Sequence, residues 1–198
     1  MKNFLDLVQK RRSIYHLNNK TEVSIKKIIE TIQTCLKHSP SAFNSQTSRI
    51  ILLINEPYLA FWSSTNNTLQ KITPPEKFNQ TKEKIDSFKQ GIGTILFFEE
   101  QHTILALEEK FPLYKENFQI WSQQASGMLQ YAIWLGLSEL NLGANLQHYN
   151  PLVDEYVHQT FNAPTSWKLV AQMNFGGVQK EADEKSFLDL SKRFHVFK

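Results

Sequence analysis

The chain has 198 residues, 41% hydrophobic and 21% charged, with only 7 Gly and 7 Pro; this excludes a disordered, collagenous or repeat protein and predicts one domain over 1–198, folding without metal or disulfide staples. The net charge of +3 is largely interleaved with acids, as in Lys82-Glu83-Lys84, which argues against a nucleic-acid stripe, and the longest aliphatic run, Ile50 to Ile54, falls far short of the ~20 residues of a membrane helix. A lone cysteine, Cys35, and a start from Met1 to Arg12 that lacks the apolar core of a leader peptide predict a reducing, cytoplasmic setting.

Phe4, Leu7, Val8 and Arg11 fit one face of a first helix with Asn3 as its N-cap, ending in Lys10-Arg11-Arg12. Ile25, Ile28, Ile29, Ile32, Cys35 and Leu36 recur at helical spacing behind Ser24, and Pro40 stops that pattern. A polar loop, Ser39 to Ser48, leads into a β-rich run from Arg49 to Asn55. Helical segments are predicted over Pro57–Gln70 and Pro75–Phe88, and a buried strand over Thr94–Phe98 behind Gly91-Ile92-Gly93. Phe118 to Asn141 predicts a long helix, apolar on more than one side, with Gly143 as its C-cap; such a helix is buried in a core or at a subunit interface. Ala144–Gln147 predicts a short strand, Asn150-Pro151 an N-cap followed by proline at the first helical position, and Trp167–Phe175 a last strand closed by Gly176-Gly177. Glu181 to Lys198 is polar with scattered Phe, Leu and Val, and predicts an arm that packs on something else. The alternation of elements gives an α/β or α+β architecture.

His16, His38, His102, His148, His158 and His195 show no metal-ligand spacing. Cys35 lies on an apolar face, the setting of an inert thiol, and no nucleophile elbow is present. Glu99-Glu100 and Glu108-Glu109 are predicted to face solvent, because adjacent acids on a helix point apart. The glycines of Gly91-Ile92-Gly93 open a strand instead of following one, so they do not make a dinucleotide fingerprint. What remains are polar segments at the ends of buried elements. Arg11-Arg12-Ser13 suits a phosphate, although capping of a helix end would use the same cations. Ser39 to Gln46 offers amides and hydroxyls, or simply a turn. Gln147-His148-Tyr149-Asn150 sets amide, imidazole and phenol at a strand end, where ligands collect in sheets of this kind. The separate pair Lys192-Arg193 could converge on the same anion as the first cluster.

Taken in order, Arg11-Arg12-Ser13-Ile14-Tyr15, Ser39 to Arg49, Gly91 to Glu99, Leu142 to Pro151 and Ser166 to Met173 resemble the nitroreductase family of flavin-dependent oxidoreductases. The run Gln147-His148-Tyr149-Asn150-Pro151 resembles the subfamily named for the fatty acid repression mutant protein. The resemblance implies an α+β fold with a central, mostly antiparallel sheet flanked by helices, and a homodimer with two FMN sites shared across its interface. Carried over by motif, Arg11, Arg12 and Ser13 hold the FMN phosphate and the pyrimidine end, with Arg193 and Lys192 closing on the phosphate. Ser39, Pro40, Ser41, Asn44 and Gln46 come from the partner subunit, and Gln147, His148 and Tyr149 lie along the isoalloxazine. Many relatives carry Lys or Arg two positions after the motif serine. Tyr15 stands there in this chain, so stabilising reduced flavin falls to Arg12 and a lower flavin potential is expected.

The activity so implied is oxidoreduction in two half-reactions, from NADH or NADPH to FMN and then to a small aromatic acceptor of the nitroaromatic or quinone type, with the chemistry on the cofactor. His148 has two open roles, a proton donor or a polar wall beside the ring. The rival reading is an FMN-binding redox sensor or regulator with nitroreduction as a side activity.

Overall fold

The computed structural model describes residues 3–198; Met1 and Lys2, where the segment read for a leader begins, lie outside the described residues. The chain runs α1 (Phe4–Lys10), β1 (Leu17–Asn18), α2 (Ile25–His38), β2 (Ser48–Ile54), α3 (Asn55–Ile72), α4 (Pro75–Phe88), β3 (Gly93–Glu100), α5 (Gln101–Lys110), α6 (Lys115–Glu139), β4 (Leu142–Gln147), α7 (Asp154–Phe161) and β5 (Trp167–Val178). Each pairing between these strands is antiparallel: β3 and β4 both pair with β5, β2 extends the sheet beyond β3, and β1 pairs with the last residues of β5. A parallel bridge, Ser13 to Ala144, ties the segment after α1 to β4. This is the expected α+β class. Among the described residues no helix is long and apolar enough to cross a membrane.

The core follows from strand periodicity, since consecutive side chains leave a strand on opposite faces. Ile95 and Phe97 of β3 pack under α2 and α6 with Ile28, Ile32, Leu129 and Ile133. Leu96 and Phe98 face the other way, onto Phe61, Trp62, Ile85, Phe88 and Val157 of α3, α4 and α7. Both faces of the strand are covered, so its sequence is a continuous apolar run. Ser24 caps α2 as predicted, its hydroxyl accepting from the Lys27 N–H at 3.2 Å, and Asn3 caps α1 through the Leu5 N–H.

Several local readings are corrected. The long helix starts at Lys115, earlier than Phe118, and the residue that turns the chain after it is Asn141 with φ 58°, not Gly143. Gly143 lies inside β4, where a Cβ would stand 2.9 Å from Ile14 and 3.0 Å from Leu17, so it serves close approach and not capping. Asn150 caps no helix: α7 begins at Asp154, the Asn150-Pro151 peptide is cis, and the Asn150 Oδ1 accepts from Gln172 instead. Gly176-Gly177 do not close the last strand, which continues to Val178 through pairing with β1; a Cβ on Gly177 would lie 2.1 Å from the Lys20 carbonyl, so this glycine serves close approach. The helix α5 and the two-residue β1 have no counterpart among the elements that the sequence predicts. Glu99 and Glu100 are buried, not solvent-facing: Glu99 ends the inward row of β3, and Glu100 is the N-cap of α5.

α6 buries one stripe, Phe118, Ser122, Ala125, Leu129, Ile133 and Leu137, while Ile120, Met128 and Tyr131 on its other side are exposed. The arm after β5 carries Phe187, Leu190, Phe194 and Phe197, each more than 60% exposed.

Candidate functional site

The segment leaving α1 is held by main-chain pairing. The Arg11 N–H closes the helix on the Leu7 carbonyl at 2.9 Å, and the Ile14 N–H donates to the Ala144 carbonyl of β4 at 2.9 Å. Ile14 is buried, and its neighbours Ser13 and Tyr15 line a cavity of about 450 Å³ together with Arg11, Arg12, His16 and residues 180–185. An adjoining cavity of about 850 Å³ shares Arg11, Arg12, Glu184 and Lys185 and adds Val8, Gln9, Tyr131 and Phe187. The Arg11 guanidinium lies 4.5 Å from the Trp134 ring centroid and 5.9 Å from that of Tyr131, a cation–π stack that orients it without neutralising it. Its Nε is buried and has no hydrogen-bond partner among the described residues. Arg12 donates from Nη2 to the Asp183 carbonyl at 2.7 Å, which ties the start of the arm to the cavity wall.

The second predicted segment lies in a different cavity. Ser39 is the C-cap of α2. The Ser41 hydroxyl accepts from the Gln46 N–H at 2.9 Å, and Arg49 donates to the Gln46 carbonyl at 2.6 Å. Phe43, Asn44 and Gln46 all take left-handed backbone, φ 55°, 50° and 48°, a strained conformation for non-glycine residues, most of all for an aromatic one. The Phe43 ring offsets this by packing on Phe111 and Phe118 at 4.9 and 5.5 Å between centroids. Ser39, Pro40, Ser41 and Gln46 line about 250 Å³ with Ser48, Arg49, Ala125 and Leu129. That cavity shares no lining residue with those of Arg11.

Beneath this loop lies a group that sequence reasoning misplaced. Glu99, fully buried, accepts from the hydroxyls of Thr47 at 2.5 Å and Ser48 at 2.6 Å. Burial pushes its carboxyl above the ordinary range, against the opposing pull of the Ser48, Thr47 and Ser126 hydroxyls and the Arg49 cation. Burial likewise pushes the half-buried Cys35 thiol up, away from reactivity.

The third segment closes β4. The Gln147 side chain is buried and donates to the Asn145 Oδ1 at 2.9 Å. His148 is exposed. Tyr149 turns its ring to the core, edge-on to Trp62 at 5.6 Å and to Phe88 at 6.4 Å, and burial pushes its phenol up to about 12. Its N–H donates to the Gln172 Oε1 at 2.7 Å. Lys192 and Arg193 are exposed on the arm, at a short 3-10 turn, Leu190–Lys192, and do not line the cavities described for Arg11 and its neighbours. Sequence reasoning also missed the ring support of Arg11 and a row of buried amides, Asn145, Gln147, Gln172 and Asn174. The signal for the row was present: polar residues at every second position of otherwise apolar strands.

The nitroreductase family model matches residues 8–177. Among solved structures, nitroreductase CinD from Lactococcus lactis, in complexes with chloramphenicol and with 4-nitrophenol, is 42% identical over 99% of this chain and 100% of that one, with a TM-score of 0.91 in each. Nitroreductase FRM2 of Saccharomyces cerevisiae is 27% identical over 94% of both chains. With these matches, the α+β sheet with the arginine-rich segment bridged to β4 is the fold of nitroreductase-type oxidoreductases. The chain belongs to the nitroreductase family.

Proposed function

We propose that the chain is an FMN-dependent NAD(P)H oxidoreductase acting on nitroaromatic or quinone-type acceptors, working as a homodimer and belonging to the FRM2-like branch of the family. The observation that carries this reading is the bridge from Ser13, at the end of the Arg11-Arg12-Ser13 run, to Ala144 of β4, at cavities lined by permanent cations. The residues present fit the cofactor. A guanidinium stacked on Trp134 with its Nε unpaired is a ready donor for an anion, and Lys180 and Lys185 counter Glu181, Asp183 and Glu184 around the same cavity. Arg11 and Arg12 would hold the phosphate, Ser13 and Gln147 the polar edge of the ring. Bound FMN supplies two-electron exchange between a nicotinamide and an electron-poor aromatic. The protein's own part is to orient, to stack and to exclude water, consistent with the exposed His148 acting as a wall. CinD's complexes with aromatic nitro compounds support that acceptor class here.

The shared-site dimer is supported by the separation of the Ser39–Gln46 cavity from the arginine cavities in one chain, and by the apolar side chains left exposed on α6 and the arm. The test is a fluorescence titration with FMN and with riboflavin, which lacks the phosphate. Arg11→Ala and Arg12→Ala are each expected to weaken FMN roughly ten- to a hundred-fold while leaving riboflavin within about threefold. Equal wild-type affinity for the two flavins would overturn the assignment of the arginines.

A further inference from the structure

Asn145 lies within β4 and is fully buried, so it touches no ligand in either cavity. Its side chain nevertheless meets both halves of the proposed flavin site. The Nδ2 donates to the Ile14 carbonyl at 2.8 Å, and the Oδ1 accepts from the Gln147 Nε2 at 2.9 Å and from the Asn174 Nδ2 at 3.3 Å. The orientation is fixed by chemistry: a carbonyl can only accept, so the NH2 must face Ile14, and the oxygen is thereby turned to the two amides.

The amide is itself anchored. Asn174 is its cross-strand partner on β5. The Asn174 Oδ1 accepts from the Thr94 hydroxyl at 2.6 Å, and that hydroxyl accepts from the Trp62 Nε1 at 2.8 Å. Thr94, Asn145 and Asn174 are each fully buried, so this row of polar groups, running from the α3 layer to the sheet edge, keeps a single arrangement. At its end Ile14 is held on both sides, by its N–H on Ala144 and its carbonyl on Asn145. Ser13 and Tyr15 flank Ile14 and line the cavity.

We infer that Asn145 is a positioning residue for the flavin, setting the distance between the Ser13–Tyr15 segment and Gln147 through hydrogen bonds to both; the inference rests on the FMN reading above. No other side chain of this size fills the role. Asp would keep the acceptor and set a carboxylate against the Ile14 carbonyl, Leu would leave that carbonyl unpaired, and Ser is too short to reach both groups.

The experiment compares wild type, Asn145→Asp and Asn145→Ser as purified, FMN-reconstituted full-length protein. FMN affinity, the visible spectrum and midpoint potential of the bound flavin, and the melting temperature are measured for each. Both variants are expected to bind FMN at least about tenfold more weakly, with shifted flavin absorption and a displaced potential in the fraction that remains loaded. A lowered melting temperature with native spectrum, potential and affinity would overturn the proposal, as would loss of folded protein in both variants, which would make Asn145 a residue of the core and not of the site. If wild type binds no FMN, the functional reading fails and this inference with it; if wild type binds and the variants match it, this inference alone fails.

Discussion

Glu99 and Glu100 are neighbours in sequence with opposite electrostatics. Burial raises the Glu99 carboxyl. Glu100 is also partly desolvated, yet the Thr103 hydroxyl and N–H, Ser166 and the His102 N–H outweigh that and hold it at about 2. The signs differ accordingly. A lowered carboxyl stabilises the fold above its ordinary value and loses that contribution as pH falls toward about 2. A raised one stabilises the fold fully below its ordinary value and loses the contribution as pH rises through the shifted one. Glu100→Gln is therefore expected to flatten the acid limb of the stability profile below about pH 4, with about 1 to 3 kcal/mol lost at neutral pH from the weaker cap of α5; urea titrations across that range read both. Glu99→Ala strands the buried Thr47 hydroxyl and the half-buried Ser48 hydroxyl and should cost about 2 to 3 kcal/mol. Glu99→Gln, which needs no buried charge, should cost less than the Ala variant and remove the loss of stability above the raised carboxyl value. Equal losses in the two Glu99 variants, measured by chemical denaturation at neutral pH, would contradict the assignment.

At the scale of elements, β4 is the template of the site. Its main chain receives the segment after α1, its side chains hold Ile14 and Gln147, and its glycine lets Ile14 and Leu17 come close. A methyl at Gly143 would stand 2.9 Å from the Ile14 side chain, tighter than packed carbon atoms tolerate. Gly143→Ala is thus expected to destabilise by about 1 to 3 kcal/mol and to displace the Arg12–Tyr15 segment. The displacement is read by the same FMN titration, where affinity should fall more than the denaturation midpoint alone would predict. A variant with native flavin affinity would mean that the segment moves freely of β4.

Over the whole molecule, apolar side chains of α6 and of the arm face solvent in one chain, as the surface of a subunit interface does before its partner covers it. Sedimentation of the flavin-loaded protein is expected to give a species of twice the 23.1 kDa chain mass. Removal of residues 181–198, which takes away Lys192, Arg193 and the exposed phenylalanines, is expected to lower FMN affinity and dimer stability together. A monomer that keeps its flavin would separate the two and sink the shared-site reading.

Sequence by itself determined those elements whose cues are local. The caps Ser24 and Asn3, the helical spacing of α2, the proline that opens α4 and the apolar runs of β2, β3 and β5 each act over a few residues and need no distant partner. The motif segments that carry the family resemblance were legible for the same reason. Tertiary structure alone decided what depends on pairing between remote positions. The bond from Asn145 to Ile14 spans 131 residues, and that from Thr47 to Glu99 spans 52. No local pattern marks Glu99 as buried, Arg11 as stacked on Trp134, or Gly143 as a place of close approach instead of a helix cap. Local propensity can place an amide on a strand, but only the neighbouring strands decide whether that amide meets water, a partner or a second backbone.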